Sequence, residues 1–511
     1  MRRIALMVTG MLALAGCGGG GGWKATCSAS RPCEAGSYCA ETEDGNVCWP
    51  DEVAPVIASV DPTCGGSLPC RRDGILHVEV EVTEAERMGT VSIVLDLDTE
   101  HPRELQRVDE DTYSVDLSLV DLPFPHFTRE VAMTVTALDQ AGNQAEPHHS
   151  TVLVTRGAFA RQLATSAPFR LWSPAVLADG GVVVAGENGR LHFLSKEGVA
   201  STPVPVTSNL LNGPAAIGDT TVWVGSEDGR LYPVSFTGAV GTSCDAGAAM
   251  LGAPAISGNR AISATKSSFV AVADAGGGCN STSVASPAQP VVSSGRVFVP
   301  SGGRLRSYSV AANGALVEEW SVAPEIGEVT APPAIDEPGA IWTTAAGVVS
   351  RTDSAGSSQQ VTFTPALPTS SGGGIILRDG SYIVAGGSSE VLRRSGTGWG
   401  TSSQLTGRPA IPLALDGDTP TILVTTSSGY LHLLRQSDGT AVWSSRITLA
   451  NQSLEAPNIW TEPGATTSTA YLAGADGYLY AVIVDGALDT SAPWPKAYHD
   501  PQNTSNAGVT P

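Results

Sequence analysis

One phrase recurs along the C-terminal two-thirds of this chain, and its period limits the fold more than any other feature. The first clear copy opens on Ser173-Pro174-Ala175-Val176, runs through Val182-Val183-Val184-Ala185-Gly186 and closes on Asn188-Gly189-Arg190-Leu191-His192-Phe193. A second reads Gly213-Pro214-Ala215-Ala216, Val222-Trp223-Val224-Gly225 and Asp228-Gly229-Arg230-Leu231-Tyr232. The opening returns at Pro254-Ala255-Ile256, Pro290-Val291-Val292, Pro333-Ala334-Ile335, Pro409-Ala410-Ile411 and Pro457-Asn458-Ile459, so the Pro spacings are 40, 40, 36, 43, 76 and 48 residues. The interval of 76 covers two repeats, with a degenerate copy at Gly374-Ile375-Ile376-Leu377 and Tyr382-Ile383-Val384-Ala385, which makes eight. Several short strands repeated every 40 or so residues are the signature of a β-propeller.

Within each copy the apolar runs are four to six residues long and rich in Val, Ile and Tyr, which suits strands and is too short for helices. No amphipathic helix is legible after residue 20. The pairs Asn188-Gly189, Asp228-Gly229 and Asp476-Gly477 predict tight hairpins with type I′ turns, which need φ > 0 at both central residues. A lone four-stranded sheet cannot bury both faces. Stacked radially, each covers its neighbours, and closure of the ring removes long edges. The small residues Ser173, Gly213, Gly252 and Ala253 suit strands crowded at a central axis.

The copy Gly429-Tyr430-Leu431-His432-Leu433-Leu434-Arg435-Gln436-Ser437-Asp438-Gly439-Thr440-Ala441-Val442-Trp443 resembles the pyrroloquinoline-quinone-type propeller repeat, and the likeness extends over residues 157–500. It implies an all-β, eight-bladed propeller. In that family a Trp late in each blade docks against the next blade; Trp320, Trp399 and Trp443 match that position, three in eight. The family's enzymes hold a quinone between a floor Trp and a disulfide of two adjacent Cys, with Ca²⁺ on Glu and Asn and an Asp as base. Here no two Cys are adjacent, and no catalytic residue carries over. There is also no GxSxG elbow and no HExxH motif. Of the eight His only His148 and His149 are neighbours, expected in a loop. No catalytic residue, cofactor or metal site is therefore expected.

The front of the chain reads as an address. Met1-Arg2-Arg3 and the uncharged run Ile4 to Ala15 form a secretory signal, too short to span a membrane. Leu14-Ala15-Gly16-Cys17 resembles the bacterial lipobox, which implies cleavage after residue 16 and lipidation of Cys17. Residues 17–23 then hold the lipidated Cys and a Gly tether. No acidic residue follows Cys17, so an outer-membrane position is favoured, on the periplasmic face or the cell surface. Setting Cys17 aside leaves eight cysteines, an even number that reads as disulfides in an exported chain. Cys27, Cys33, Cys39 and Cys48 crowd into a module over 24–50, where cross-links or a metal would have to replace a core. Cys64 and Cys70 bracket a turn and pair locally. Cys244 and Cys279 lie late in consecutive repeats, where outer strands can be bridged.

Residues 51–156 lack the phrase and alternate at period two: Leu76-Val78-Val80-Val82, Val91-Ile93-Leu95-Leu97, Tyr113-Val115-Leu117-Leu119 and Val131-Met133-Val135-Ala137. Such alternation predicts a β-sandwich. Ala54-Pro55-Val56-Ile57 and Val135-Thr136-Ala137-Leu138-Asp139-Gln140-Ala141-Gly142-Asn143 resemble the opening strand and final hairpin of bacterial immunoglobulin-like domains. Residues 1–150 carry 24 acidic against 10 basic side chains, out of a net charge of −21 for the chain. That surface repels phosphate backbones, so nucleic acid is not expected as a partner. The acidic groups Asp96, Asp98 and Glu100, and Asp109 to Asp111, are read as solvated loops.

The expectation is a non-enzymatic envelope lipoprotein that binds another envelope protein, with strand addition to a blade edge as the mode. It resembles the propeller lipoproteins that assist outer-membrane β-barrel assembly, which lack the Cys module and the sandwich; only fold and general class carry over. The alternatives are a surface adhesin binding a glycan and a quinone-dependent dehydrogenase. The stretch Trp494 to Thr504, which runs into a tail over 501–511, is expected to lie across the last blade and help close the ring.

Overall fold

The computed structural model describes residues 26–511 apart from 29, 44, 66–67, 84–86, 266, 268, 274–277, 324–326, 330, 338–339, 346–347, 362, 364–372, 386–389, 397–398 and 449–450. Cys17, the signal segment and the Gly tether lie outside the described residues. One compact unit holds the chain up to Pro62 with His77–Leu117 and Ala132–Thr151; the other holds Thr63–Leu76, Ser118–Val131 and Val152–Pro511. Among the described residues the only helical element is the 3-10 turn Leu119–Asp121, and no helix is long and apolar enough to cross a membrane.

The Cys-rich module is a hairpin of Ser37–Thr42 against Gly45–Pro50. Strands further along form two sheets. One runs Cys70–Arg71, His148–Thr155, Thr128–Asp139, Met88–Leu95, Asp98–Glu104, and the other Val56–Thr63, Ile75–Thr83, Thr112–Ser118, Gln106–Arg107. The period-two reading holds on Ile75–Thr83: Leu76, Val78, Val80 and Val82 are buried, while Glu79 and Glu81 face water. Leu97 falls in a turn after its strand ends at Leu95. His148 and His149 open a strand rather than sitting in a loop, because His149 Nδ1 and Thr134 Oγ1 pair across to the neighbouring strand at 3.1 Å. The Asp139–Asn143 turn is tied by Asn143, whose backbone N and Nδ2 both donate to the Asp139 carboxylate, at 2.8 and 2.6 Å.

In the second unit the repeats become a succession of antiparallel sheets, each built from consecutive strands. Among the described residues seven of them open on Ala175–Val176, Ala216–Ile217, Met250–Ser257, Val291–Ser293, Ala334–Glu337, Gly374–Ile376 and Leu413–Asp416. The eighth, Asn458–Thr461, Thr467–Ala473 and Tyr478–Asp485, takes its outermost strand, Gly157–Gln162, from the start of the region. Residues from the two ends of the repeat array thus share one sheet.

The strand Val182–Gly186 shows why the sheets stack. Val183 and Ala185 join Val222 and Val224 of the second sheet in one apolar cluster. Val182 and Val184 join Tyr471, Ala473 and Ala481 of the eighth sheet in another. Both faces are dry, so the strand reads as an unbroken apolar run, and each Val withdrawn from water contributes about 1.5–3 kcal/mol. Comparable clusters join second to third, third to fourth, fourth through sixth, sixth to seventh and seventh to eighth, so the sheets close into a ring, a β-propeller. The segments at the start of the innermost strands crowd each other: a Cβ on Gly213 would sit 2.4 Å from the Gly252 backbone.

The hairpins differ from the type I′ expectation. Gly189, Gly229 and Gly477 have φ near +80°, but Asn188, Asp228 and Asp476 do not have positive φ. Each Gly N–H returns to a carbonyl three residues back, as Gly189 does to Gly186 at 3.1 Å. These are three-residue connections in which the chain turns before reaching the left-handed Gly. The residue before Gly is chosen for its side chain: Asp228 Oδ1 accepts from the Arg230 backbone at 3.0 Å and Asp228 Oδ2 from the Tyr232 hydroxyl at 2.7 Å. Asp476 and Tyr480 repeat that clasp at 2.6 Å.

Two of the three matched Trp dock as the resemblance implies. Trp320 Nε1 donates to the Ser354 carbonyl (3.1 Å) and Trp399 Nε1 to the Gln436 carbonyl (2.9 Å), each in the outer turn of the next sheet. Trp443 meets no such turn. The eighth sheet borrows its outer strand from elsewhere, and Trp443 packs instead on Phe127 and under the Arg156 guanidinium, 5.5 Å from its ring.

Candidate functional site

The axis of the ring is where a propeller ordinarily offers a pocket, and here the chain fills it with itself. After Asp485 the backbone pairs Ala487–Leu488 against Leu413–Asp416, the innermost strand of the seventh sheet, and then enters the centre. Inner-strand N–H groups donate to it in turn: Ile376 to Trp494 O at 2.9 Å, Ala414 to Pro495 O at 2.7 Å, Val176 to Pro501 O at 2.8 Å, Ile217 to Gln502 O at 2.9 Å, Ile256 to Thr504 O at 2.8 Å and Val292 to Ser505 O at 2.8 Å. The tail is therefore not confined to the last sheet: its carbonyls take backbone N–H groups from six other sheets, and Asn458 of the last sheet donates to Pro501 O. An innermost strand has a vacant edge, and its N–H groups need acceptors once water is excluded.

Polar side chains of the tail are buried in this centre. Lys496 is fully buried and its Nζ donates to Ala497 O (2.6 Å), Asp500 O (2.8 Å) and Asn503 Oδ1 (3.0 Å). Burial pushes the Lys496 ammonium down to about 7, with the charge of Asp500 opposing. Asn503 Nδ2 donates to Pro174 O and Ala215 O, and Asn458 Nδ2 reaches Pro174 O and Pro501 O. The remaining space beside Trp494 and Tyr498 is about 10 Å³, too little for an organic ligand.

A large cavity of the same unit, about 1330 Å³, borders the tail at Pro501 and Gln502 and has Arg72, Asp121, Arg156, Trp460 and Asp485 in its wall. Arg156 is almost wholly buried: Nε donates to His126 O at 2.8 Å, Nη1 to Ile483 O at 3.3 Å, and Nη2 to Phe124 O at 2.7 Å and Asp485 Oδ2 at 2.5 Å. Arg72 Nε reaches Asp485 Oδ1 at 3.2 Å and its Nη2 donates to Val120 O at 3.1 Å. Burial holds the Arg72 guanidinium below its ordinary range, Asp485 opposes this, and Arg156 adds to it. Two buried guanidiniums thus share one half-exposed carboxylate. Their donors go mostly to backbone carbonyls, so the cluster pins chain segments together and walls the cleft.

The eight cysteines among the described residues fall into four bonds: Cys27–Cys39, Cys33–Cys48, Cys64–Cys70 and Cys244–Cys279. The sulfurs of Cys27, Cys33 and Cys48 lie within 4.8 Å of one another, a grouping that suits a metal by distance alone. As disulfides they offer no thiolate to one. Cys244 and Cys279 join the outermost strands of the second and third sheets. The sequence reading missed three features: Lys496 and Asn503 at the axis, and the Arg72–Asp485–Arg156 cluster. A Lys and two Asn in an otherwise ordinary tail carry no period, and the Arg cluster joins residues more than 300 positions apart.

No family model matches this sequence, and no curated protein matches it. Solved structures do. They include the computationally designed Ika8 protein, 12% identical over 63% of this chain and 100% of that one with a TM-score of 0.50. BamB from Moraxella catarrhalis is 15% identical over 63% and 97%, with a TM-score of 0.45. Virginiamycin B lyase from Staphylococcus aureus is 12% identical over 64% and 98%, with a TM-score of 0.42. What the chain shares with the designed protein at this identity is fold alone.

Proposed function

We propose that this protein is a non-enzymatic, lipid-anchored scaffold of a bacterial cell envelope. In this reading an eight-bladed propeller of quinone-type repeats binds another envelope protein, and an immunoglobulin-like sandwich with a small disulfide module spaces it from the membrane. The observation that carries the reading is how the second unit uses its surfaces. Its axis is filled by its own tail, while outermost strands stand at the rim. The longest of these among the described residues, Leu316–Val322, is last in its sheet and exposes Val317 and Glu318. An edge of that kind recruits an extended segment through main-chain pairing, with little demand on side chains. Four disulfides fit an exported chain.

Crosslinking of the tagged protein in cells, followed by mass spectrometry, tests the partner. One envelope protein recovered in near-equal amount is the expected result; an empty capture would count against the scaffold and turn attention to glycans. Anchoring is tested separately with Cys17→Ala, which is expected to move the protein from the membrane to the soluble fraction.

A further inference from the structure

We propose that the propeller axis is a peptide-binding site and that residues 494–507 are its built-in occupant, an intramolecular ligand that a separate peptide of the same chemistry can replace. This goes beyond the scaffold reading and stands whether or not a sheet edge docks a partner.

The tail meets the ring as a bound peptide meets a receptor. Main-chain donors come from six inner strands, at Val176, Ile217, Ile256, Val292, Ile376 and Ala414, and all the acceptors are tail carbonyls. The tail forms no strand beyond Ala487–Leu488. Its own shape depends on its surroundings: Tyr498, His499, Asn503 and Ser505 all hold positive φ, between 49° and 74°. Non-glycine residues occupy that region at a cost, and do so where neighbours dictate it. Pro493, Pro495 and Pro501 bring no N–H that would need an acceptor in the dry centre.

Recognition has three chemical parts. The Trp494 indole is buried in the apolar cluster that holds Ile376 and Tyr382. The Lys496 ammonium is enclosed by three oxygens of the tail itself, so it folds the segment around a cation. The side-chain amides of Asn503 and Asn506 read the carbonyls of Pro174 and Ala215, just before two inner strands, and of Ile256 within a third, the last at 2.9 Å. The ligand class is thus a turn-rich, proline-containing peptide with an aromatic anchor, an enclosed ammonium and carboxamides. The segment joins the ring through exposed Thr490 and Ser491, so one tether keeps it at high local concentration.

The test uses the full chain with a site-specific protease sequence inserted between Thr490 and Ser491. After cleavage, a fluorescent synthetic peptide of residues 491–511 is added. The cut fragment is expected to co-elute with the body, and the labelled peptide to exchange into it saturably. A competitor carrying Lys496→Met and Asn503→Ala is expected to compete at least about tenfold less well. The uncut chain is expected to exclude the labelled peptide. The proposal is overturned if nothing exchanges, if the double-substituted peptide competes equally, if uncut chain binds as well, or if the body loses its cooperative unfolding when the fragment leaves.

Discussion

At the scale of single residues, one repeat position is filled by two chemistries with opposite consequences. The third strand carries Tyr232 and Tyr480 in the second and eighth sheets, each clasping its turn Asp, and His192 and His432 in the first and seventh. Burial pushes both His down to about 4, with Arg190 adding to the effect at His192. The unfolded chain takes up these protons near pH 6.5, the folded chain only near 4, so stability falls as pH drops through that window. Glu455, whose carboxyl burial pushes up, works the other way at the acid end. Lys496 extends the trend upward, its folded value of about 7 lying below the ordinary 10.5, so stability rises from neutrality into alkali. The urea midpoint is expected to fall from pH 7 to pH 4.5, and to fall less in a His192→Tyr, His432→Tyr variant. Equal slopes in the two proteins would assign the loss to other groups.

At the scale of elements, the junction between neighbouring sheets is the informative unit. Gly439, at φ +71°, lies under the Trp399 ring, and a Cβ there would stand 2.8 Å from it. Gly439→Ala therefore combines backbone strain with displacement of an indole from the Gln436 carbonyl. A loss of about 1–3 kcal/mol is expected in chemical denaturation. Trp399→Phe, which shrinks the indole to a phenyl and loses the hydrogen bond, is expected to cost about 1–3 kcal/mol. The resemblance to known repeats located Trp399 and Trp320, because an indole late in the repeat is a local signal. It misplaced Trp443, whose neighbour is the one sheet assembled from distant segments.

At the scale of the whole molecule, residue 157 begins the outer strand of the closing sheet, yet the compact unit around the propeller also contains Thr63–Leu76, Ser118–Val131 and Val152–Arg156. A chain starting at residue 157 loses Arg156, Phe124 and Phe127, and leaves Asp485 and Trp443 uncovered. The Asp485 carboxylate is half-exposed, so water replaces much of the lost pairing, and uncovering apolar surface such as the Trp443 ring costs about 1.5–3 kcal/mol. The truncated chain is expected to melt several degrees below the full one by calorimetry, whereas a start at residue 51 is expected to leave the propeller transition in place.

The sequence by itself determined the all-β class, the repeat, the strands and their dry faces. These are properties of spacing, and a spacing of two or of 40 survives in one dimension. Tight turns were legible too, though their type was not: Asp and Asn before Gly serve both turn families, and only the backbone angles separate them. Tertiary structure alone decided that the axis is filled, that Lys496 is buried there, and that Asp485 joins Arg72 and Arg156 across more than 300 residues. Such sites depend on which segments the ring brings together, and a single cation or amide, once per chain, has no period to announce it.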